Sequence, residues 1–317
     1  GQSLFWTAYH NRSRLRIDSQ KANAQANQTE RQLFQTGPAL RLNFEGDRTL
    51  DFNLSYIDSS FSRDVTNESK QGRFEFDYRQ PLNVNSSIGV SGMYSDVSSV
   101  IASQNYQSSR LGVNYDTSGL NMNLSMSLGA NEIAKETGIS FAGLFLSFSS
   151  AFQTEGAKWR FSLNRELTDS SIGLGLANNL LEEFSFGARD SDFNNNDIVE
   201  RTRIEASYSK DLVPGRWAFV ASLFGDQQDY QTLLLDKRAL GAELKFKYFS
   251  TRQLRFEYRV SWGDDITDEP NNFTQRSTEI FHRLECWYKL NRRLDFVFKI
   301  GKNRKFLASH LRDHDEF

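Results

Sequence analysis

The chain has 317 residues, enough for one large domain or two ordinary ones, and its net charge of -2 argues against general affinity for nucleic acid. Mean hydropathy is -0.58 and no run approaches the ~18 apolar residues of a spanning helix, which excludes a helical membrane protein. Aromatic residues at 13% with only four prolines suit a chain made mostly of strands, where Phe and Tyr are favoured and Pro is excluded.

In chain order, Ser3 to Asp18 is a first strand that alternates poorly although it carries Phe5 and Trp6, and Lys21 to Glu30 is a polar loop. Gln35 to Glu45 places Leu40, Leu42 and Phe44 on one face and Arg41, Asn43 and Glu45 on the other. A tight turn at Gly46 and Asp47 returns the chain through Leu50, Phe52, Leu54 and Tyr56, with Asp51, Asn53 and Ser55 opposite. Arg73, Glu75, Asp77 and Arg79 then alternate with Phe74, Phe76 and Tyr78, and Pro81 to Ser87 turns into a strand with Ile88, Val90 and Tyr94 outward. Leu111, Val113 and Tyr115 lead through Asp116 to Gly119 into Leu120 to Leu128, where Leu and Met alternate with Asn and Ser. Gly138 to Phe152 is apolar on both parities, so its facing stays open, and Gly156 turns into Trp159, Phe161 and Leu163 opposite Arg160, Ser162 and Asn164.

Asp169 to Val199 is the longest region without alternation; it reads as a large surface loop and is the candidate plug. Strands resume at Arg203 to Ser209, Trp217 to Leu223 and Leu240 to Tyr248. The segment Arg252 to Trp262 is the plainest of all: Leu254, Phe256, Tyr258, Val260 and Trp262 share one parity, and Arg255, Glu257, Arg259 and Ser261 the other. Ile280 to Leu290 and Leu294 to Ile300 follow.

One face is apolar and the opposite face polar from end to end. A soluble sandwich would bury the apolar faces against a second sheet; a transmembrane barrel gives them lipid outside and water inside. The expected fold is therefore all-β, an antiparallel up-and-down outer-membrane barrel filling residues 1-317 as one domain. Short connections fall near 46, 84, 117, 155, 214, 250 and 291, and longer ones near 25, 66, 103, 134, 185, 230 and 270, as periplasmic turns and external loops do. About fifteen strands are visible where an even number is usual, so a barrel of about sixteen is expected with its last return strand missing. The tail HLRDHDE, ending near Phe317, reads as one more external loop, and GQSLFW lacks the features of a leader, as in a mature or trimmed form.

Function is expected on the inward face of an aqueous lumen. The inward bases are Arg41, Arg73, Arg79, Arg110, Arg160, Arg203, Lys245, Lys247, Arg255, Arg259, Arg283, Lys289 and Lys299. The inward acids are Asp51, Glu75, Asp77, Glu205, Glu243, Glu257, Glu285 and Asp295, and the excess of bases leans the lumen towards anionic or neutral solutes. Such a wall can hydrogen-bond a hydrophilic polymer weakly at many points, as conduction requires. The plainer alternative is a set of cross-strand ion pairs that only stabilise a wet wall.

Catalysis and cofactors are not expected. The four histidines are His10, His282, His310 and His314; His282 lies on a lipid-facing parity, and there is no HExxH or GxSxG. Asp190, Asp192 and Asn194 open like a calcium loop, but Asn195 and Arg201 stand where glycine and glutamate are needed. The acidic, His-bearing tail reads as a solvated end rather than a metal site. Cys286, the one cysteine, excludes an internal disulfide and sits on an apolar parity.

Two stretches, GPALRLNF (Gly37 to Phe44) and NRELTDSS (Asn164 to Ser171), together with the paired-strand rhythm, resemble the β-barrel porins encoded beside exopolysaccharide synthesis genes, including the PEP-CTERM-associated outer-membrane proteins. The resemblance implies an outer-membrane barrel through which a secreted polysaccharide leaves the cell, working with a periplasmic polysaccharide-export protein. Membrane lipid and lipopolysaccharide would surround it. A general or solute-specific porin is the alternative within transport; an outer-membrane hydrolase and a structural barrel displaying the 169-199 loop are the alternatives outside it.

Overall fold

The computed structural model describes residues 1-16, 28-62, 68-100, 105-169, 197-231, 233, 235-251, 253-268, 273-290 and 295-311. They form fifteen strands: β1 (Gln2–Arg16), β2 (Gln28–Asn43), β3 (Thr49–Phe61), β4 (Ser69–Asn83), β5 (Ser86–Ser99), β6 (Tyr106–Ser118), β7 (Met122–Lys135), β8 (Ser140–Thr154), β9 (Ala157–Asp169), β10 (Ile198–Val213), β11 (Trp217–Tyr230), β12 (Asp236–Phe249), β13 (Leu254–Asp268), β14 (Phe273–Lys289) and β15 (Asp295–Leu311). They make one sheet in simple chain order, each strand antiparallel to its neighbours. That is the up-and-down barrel topology the alternation predicts. Among the described residues β1 and β15 do not pair, and both run from the turn end to the loop end, so only a strand of opposite direction could join them in antiparallel fashion.

Register carries each face across the sheet. Arg41 pairs with Asp51, Asp51 with Asp77, Asp77 with Ser91, Ser91 with Gly112, Gly112 with Gly129 and Gly129 with Phe145. On the far side Lys245 pairs with Arg259 and Arg259 with Arg283. This settles Gly138 to Phe152: Gly143, Phe145, Ser147 and Ser149 face inward, and Leu144, Leu146 and Phe148 face outward. Periodicity could not choose there because the inward row itself holds a phenylalanine.

The outer face has three tiers. Near the turn end an aromatic girdle runs across five strands: the rings of Trp159 and Tyr208 lie 4.2 Å apart, Phe219 and Phe246 5.1 Å, Trp217 and Tyr248 4.3 Å, and Tyr248 and Phe256 6.4 Å. Amphipathic rings favour the boundary between headgroups and hydrocarbon. Above it lies the apolar band, which on β13 runs from Leu254 to Trp262, about the length a tilted strand needs to cross a membrane. Toward the loop end the outer face turns charged: Arg12 pairs with Glu30 at 2.5 Å, Arg238 with Asp268 at 2.6 Å, Arg276 with Asp264 at 2.9 Å, and Arg165 with Glu200. His282 lies within the band, as its parity predicts, with Nδ1 2.9 Å from the Tyr258 hydroxyl. The edge strand β15 departs from the pattern by turning Lys302 and Arg304 outward.

Glycines close the turns. Gly46 and Asp47 both take positive φ, 74° and 57°, and Gly156 at φ 71° completes the Glu155-Gly156 turn. The expected contrast between short and long connections is weaker than the sequence suggests. Only residues 136-139 join β7 to β8, and only 231-235 join β11 to β12, because the strands run on past the apolar band. The last strand is longer in the same way: β15 continues past Ile300 through Phe306 and Ala308 to Leu311, taking in the first two residues of the expected tail loop HLRDHDE, whose remainder lies outside the described residues. Residues 170-196 of the expected loop and candidate plug, the calcium-like spacing within them, and His314 lie outside the described residues.

Candidate functional site

All twenty-one expected inward charges fall on the same face of the sheet by register. They do not form one even lining. Between β12 and β15 they build a charged ladder, in which Lys247, Glu257, Glu285 and Lys299 occupy one row and Lys245, Arg259 and Arg283 the next. Like charges thus stand directly opposite, which is unfavourable by itself. Opposite-sign contacts offset this: Arg259 reaches Glu243 diagonally at 3.4 Å and Glu257 along its own strand at 3.8 Å, while Lys247 reaches Glu257 directly across at 3.7 Å and Lys299 reaches Glu285 likewise at 3.7 Å. Trp287 also faces inward, its indole N–H donating to Glu285 at 3.1 Å while the Arg255 guanidinium lies 4.6 Å over its ring.

A second charged wall lies on β2 to β6. Arg41 holds Asp51 through two bonds of 2.7 and 2.8 Å, the fork geometry that guanidinium and carboxylate favour. Arg73 pairs with Glu75, which also accepts from Asn53 at 3.1 Å, and Asn114 donates to Asp77 at 3.3 Å. All of these but Arg41 line a cavity of about 490 Å³ with Arg79 and Arg110.

Between the two walls the lining changes to hydroxyls. One inward serine comes from each of seven successive strands, β5 to β11: Ser87, Ser118, Ser125, Ser149, Ser162, Ser207 and Ser222. With Arg79, Asp116, Arg160 and Glu205, and with Pro81, Ala151 and Phe224 adding apolar surface, they bound a cavity of about 780 Å³ near the turn end. Small side chains leave that volume open, and each hydroxyl both donates and accepts.

The loop end of the interior is different again, and the alternation does not single it out. Leu33, Ile57, Phe61, Val97, Tyr106 and Ile133 occupy inward positions and are buried, making an apolar collar. The signal is present in the sequence, since Ile57 shares the parity of Asp51, Asn53 and Ser55. It is hidden because a lone aliphatic residue on a polar face reads as noise. Further inward charges that the expectation omits include Asp116, Glu166, Arg201, Asp226, Lys135, Lys158, Lys237, Asp265 and Glu279; Arg201 and Asp226 form a buried pair with Nε–Oδ1 at 2.9 Å. With so many of these charges paired, the lean towards anions is weaker than a count of bases suggests. The side chain of Asp295 lies outside the described residues.

No protein-family model and no curated protein matches the sequence. Solved structures do resemble it. The FrpB iron transporter of Neisseria meningitidis superposes with a TM-score of 0.55 in its F5-1 variant, at 12% identity, over 96% of this chain and 62% of that one. The F3-3 variant gives 0.54 at 12% identity, over 96% of this chain and 61% of that one. The outer membrane channel DcaP of Acinetobacter baumannii aligns over 97% of this chain and 98% of its own, at 9% identity and a TM-score of 0.44. The chain thus spans less than two thirds of the length of FrpB. At these identities the likeness is one of fold: the chain is an all-β barrel sheet of the outer-membrane type, the bacterial outer membrane being where such barrels reside.

Proposed function

We propose that the protein is an outer-membrane conduit for hydrophilic solute, and that its cargo is an exopolysaccharide handed over by a periplasmic polysaccharide-export protein. The reading rests on the inner face: a chamber of about 780 Å³ ringed by serines and set between two ion-paired walls. Hydroxyls and paired charges exchange hydrogen bonds with a hydroxylated chain without a single deep site, which suits passage rather than capture. The protein supplies the polar path, and synthesis and periplasmic machinery supply the driving force. Lipid covers the apolar band, and lipopolysaccharide covers the outward charged tier above it.

A solute-specific porin is the second reading, favoured by the size of the chamber, which suits a single small molecule. Single-channel conductance in planar bilayers separates the two. Block by a neutral or anionic polysaccharide, with indifference to small sugars, supports export. Conductance that polymers leave unchanged favours the porin.

A further inference from the structure

The ladder between β8 and β9 runs from Thr154 and Ala157 only as far as Leu146 and Arg165, although β8 begins at Ser140 and β9 continues to Asp169. Beyond Arg165, β9 stays paired with β10 up to Asp169 and Ile198. The wall therefore parts between β8 and β9, while β10 stays paired with β11 up to Val199 and Tyr230, and the contacts show where the β9–β10 end goes. The Asn131 amide on β7 donates to the Leu167 carbonyl at 2.6 Å, past the intervening strand. Glu166 lies 3.5 Å from Arg110 on β6, and Asp197 lies 3.7 Å from Lys135 on β7.

Parity gives the same answer. Leu167 and Ile198 sit on the outward parity of their strands, yet both are buried in one cluster with the inward residues Val97, Tyr106 and Ile133. The outer face of the β9–β10 end thus packs on the inner face of β5 to β8, as a second layer inside the mouth. The layers meet closely at Gly143, where a Cβ would lie 3.7 Å from the Leu167 Cβ, in ordinary contact. Val199 on the other face of β10 and its partner Tyr230 on β11 are also buried.

We propose that this end of β9–β10 is the gate of the conduit, closed in this structure. The inference rests on the reading of the protein as a conduit. Closure is held by the apolar cluster, the Asn131–Leu167 bond and the Arg110–Glu166 and Lys135–Asp197 pairs. Opening swings the ends of β9 and β10, together with the end of β11 that stays paired to Val199, outward about Arg165, where Glu166 to Asp169 can extend the ladder with β8. Each state has its own contacts, as a two-state element requires. An apolar closure over a polar chamber also stops flow by shedding water, without filling the whole bore.

The Cβ separation at Gly143 and Leu167 is that of a disulfide, about 3.8 Å on average. Gly143→Cys with Leu167→Cys, in a Cys286→Ser background, locks the gate on oxidation. In a planar bilayer the current of the oxidised protein should be at least tenfold below that of the reduced protein, and reductant should restore it. Leu167→Asp with Ile198→Asp puts charge into the cluster and should raise conductance at least twofold, admitting larger polyethylene glycols. Equal current in the oxidised and reduced states, with the disulfide verified by mass, overturns the gate and leaves the conduit standing. If the parent carries no current, the Asp variant decides. Current through it supports the gate, and silence from it while it remains a folded, detergent-resistant barrel overturns the gate and the conduit together.

Discussion

Leu244→Arg tests which side of the sheet meets lipid, and how deep. Leu244 faces outward on β12 and pairs with Val260, which pairs in turn with His282, so it stands near the middle of the apolar band. An arginine at the midplane of a barrel costs about 2–4 kcal/mol, falling to about 0–1 near the interfaces. Leu240 lies four residues nearer the loop end, level with Asp264. At about 3.4 Å per residue and a tilt of roughly 40°, that is about 10 Å along the membrane normal, close to the upper edge of a band about 25 Å tall. Leu244→Arg should therefore lower the folding equilibrium by about thirty- to several-hundred-fold, and Leu240→Arg by less than about sixfold. Ser222→Arg, inward beside Glu243 at the wall of the chamber, should cost less than Leu244→Arg. The assay is reversible guanidinium unfolding in lipid vesicles. Equal losses at Leu244 and Ser222, or a greater loss at Leu240 than at Leu244, would refute the assigned sidedness.

Arg201→Met leaves Asp226 buried without its partner and should cost about 3–5 kcal/mol in the same assay, while the double change with Asp226→Leu should recover most of it; a double variant as unstable as the single would contradict the pairing. Gly129→Val should prevent assembly of a heat-modifiable barrel, because a Cβ there would lie 2.1 Å from the Leu111 carbonyl oxygen and 2.5 Å from the Phe145 ring, and normal assembly would show that the backbones do not approach so closely. Glu257→Gln removes the carboxylate that Lys247 and Arg259 share and should shift ion selectivity toward anions, read as a reversal potential under a salt gradient; an unchanged potential would place these groups off the conducting path.

Strand existence was legible wherever alternation was strict, because side-chain parity is a local property. Leu254 to Trp262 and Phe74 to Tyr78 needed no partner to show their faces. β1 alternated poorly because its outward row passes from Leu4, Trp6 and Ala8 to His10 and Arg12, leaving the apolar band within the strand. Loop lengths were overestimated where strands continue in polar residues beyond the membrane, as at Asp264 to Asp268. The charged walls were visible as residues but not as pairs, since the diagonal from Arg259 to Glu243 depends on register. The packing of β9–β10 over Gly143 was out of reach for the same reason. It joins strands that are not neighbours in the sheet, and nothing in either segment alone announces it.

The most direct test of the central claim, a sheet with lipid outside and a polar lumen inside, uses the five tryptophans of the chain. Trp6, Trp159, Trp217 and Trp262 lie on the outward parity and Trp287 on the inward one. Variants that keep one tryptophan each, the others changed to Phe, would be folded into vesicles of brominated lipid and their fluorescence compared with that in ordinary lipid. The account predicts strong quenching of the four outward residues, deepest for Trp262, and little quenching of Trp287. Quenching of Trp287 to the level of Trp262, or protection of all five, would contradict it.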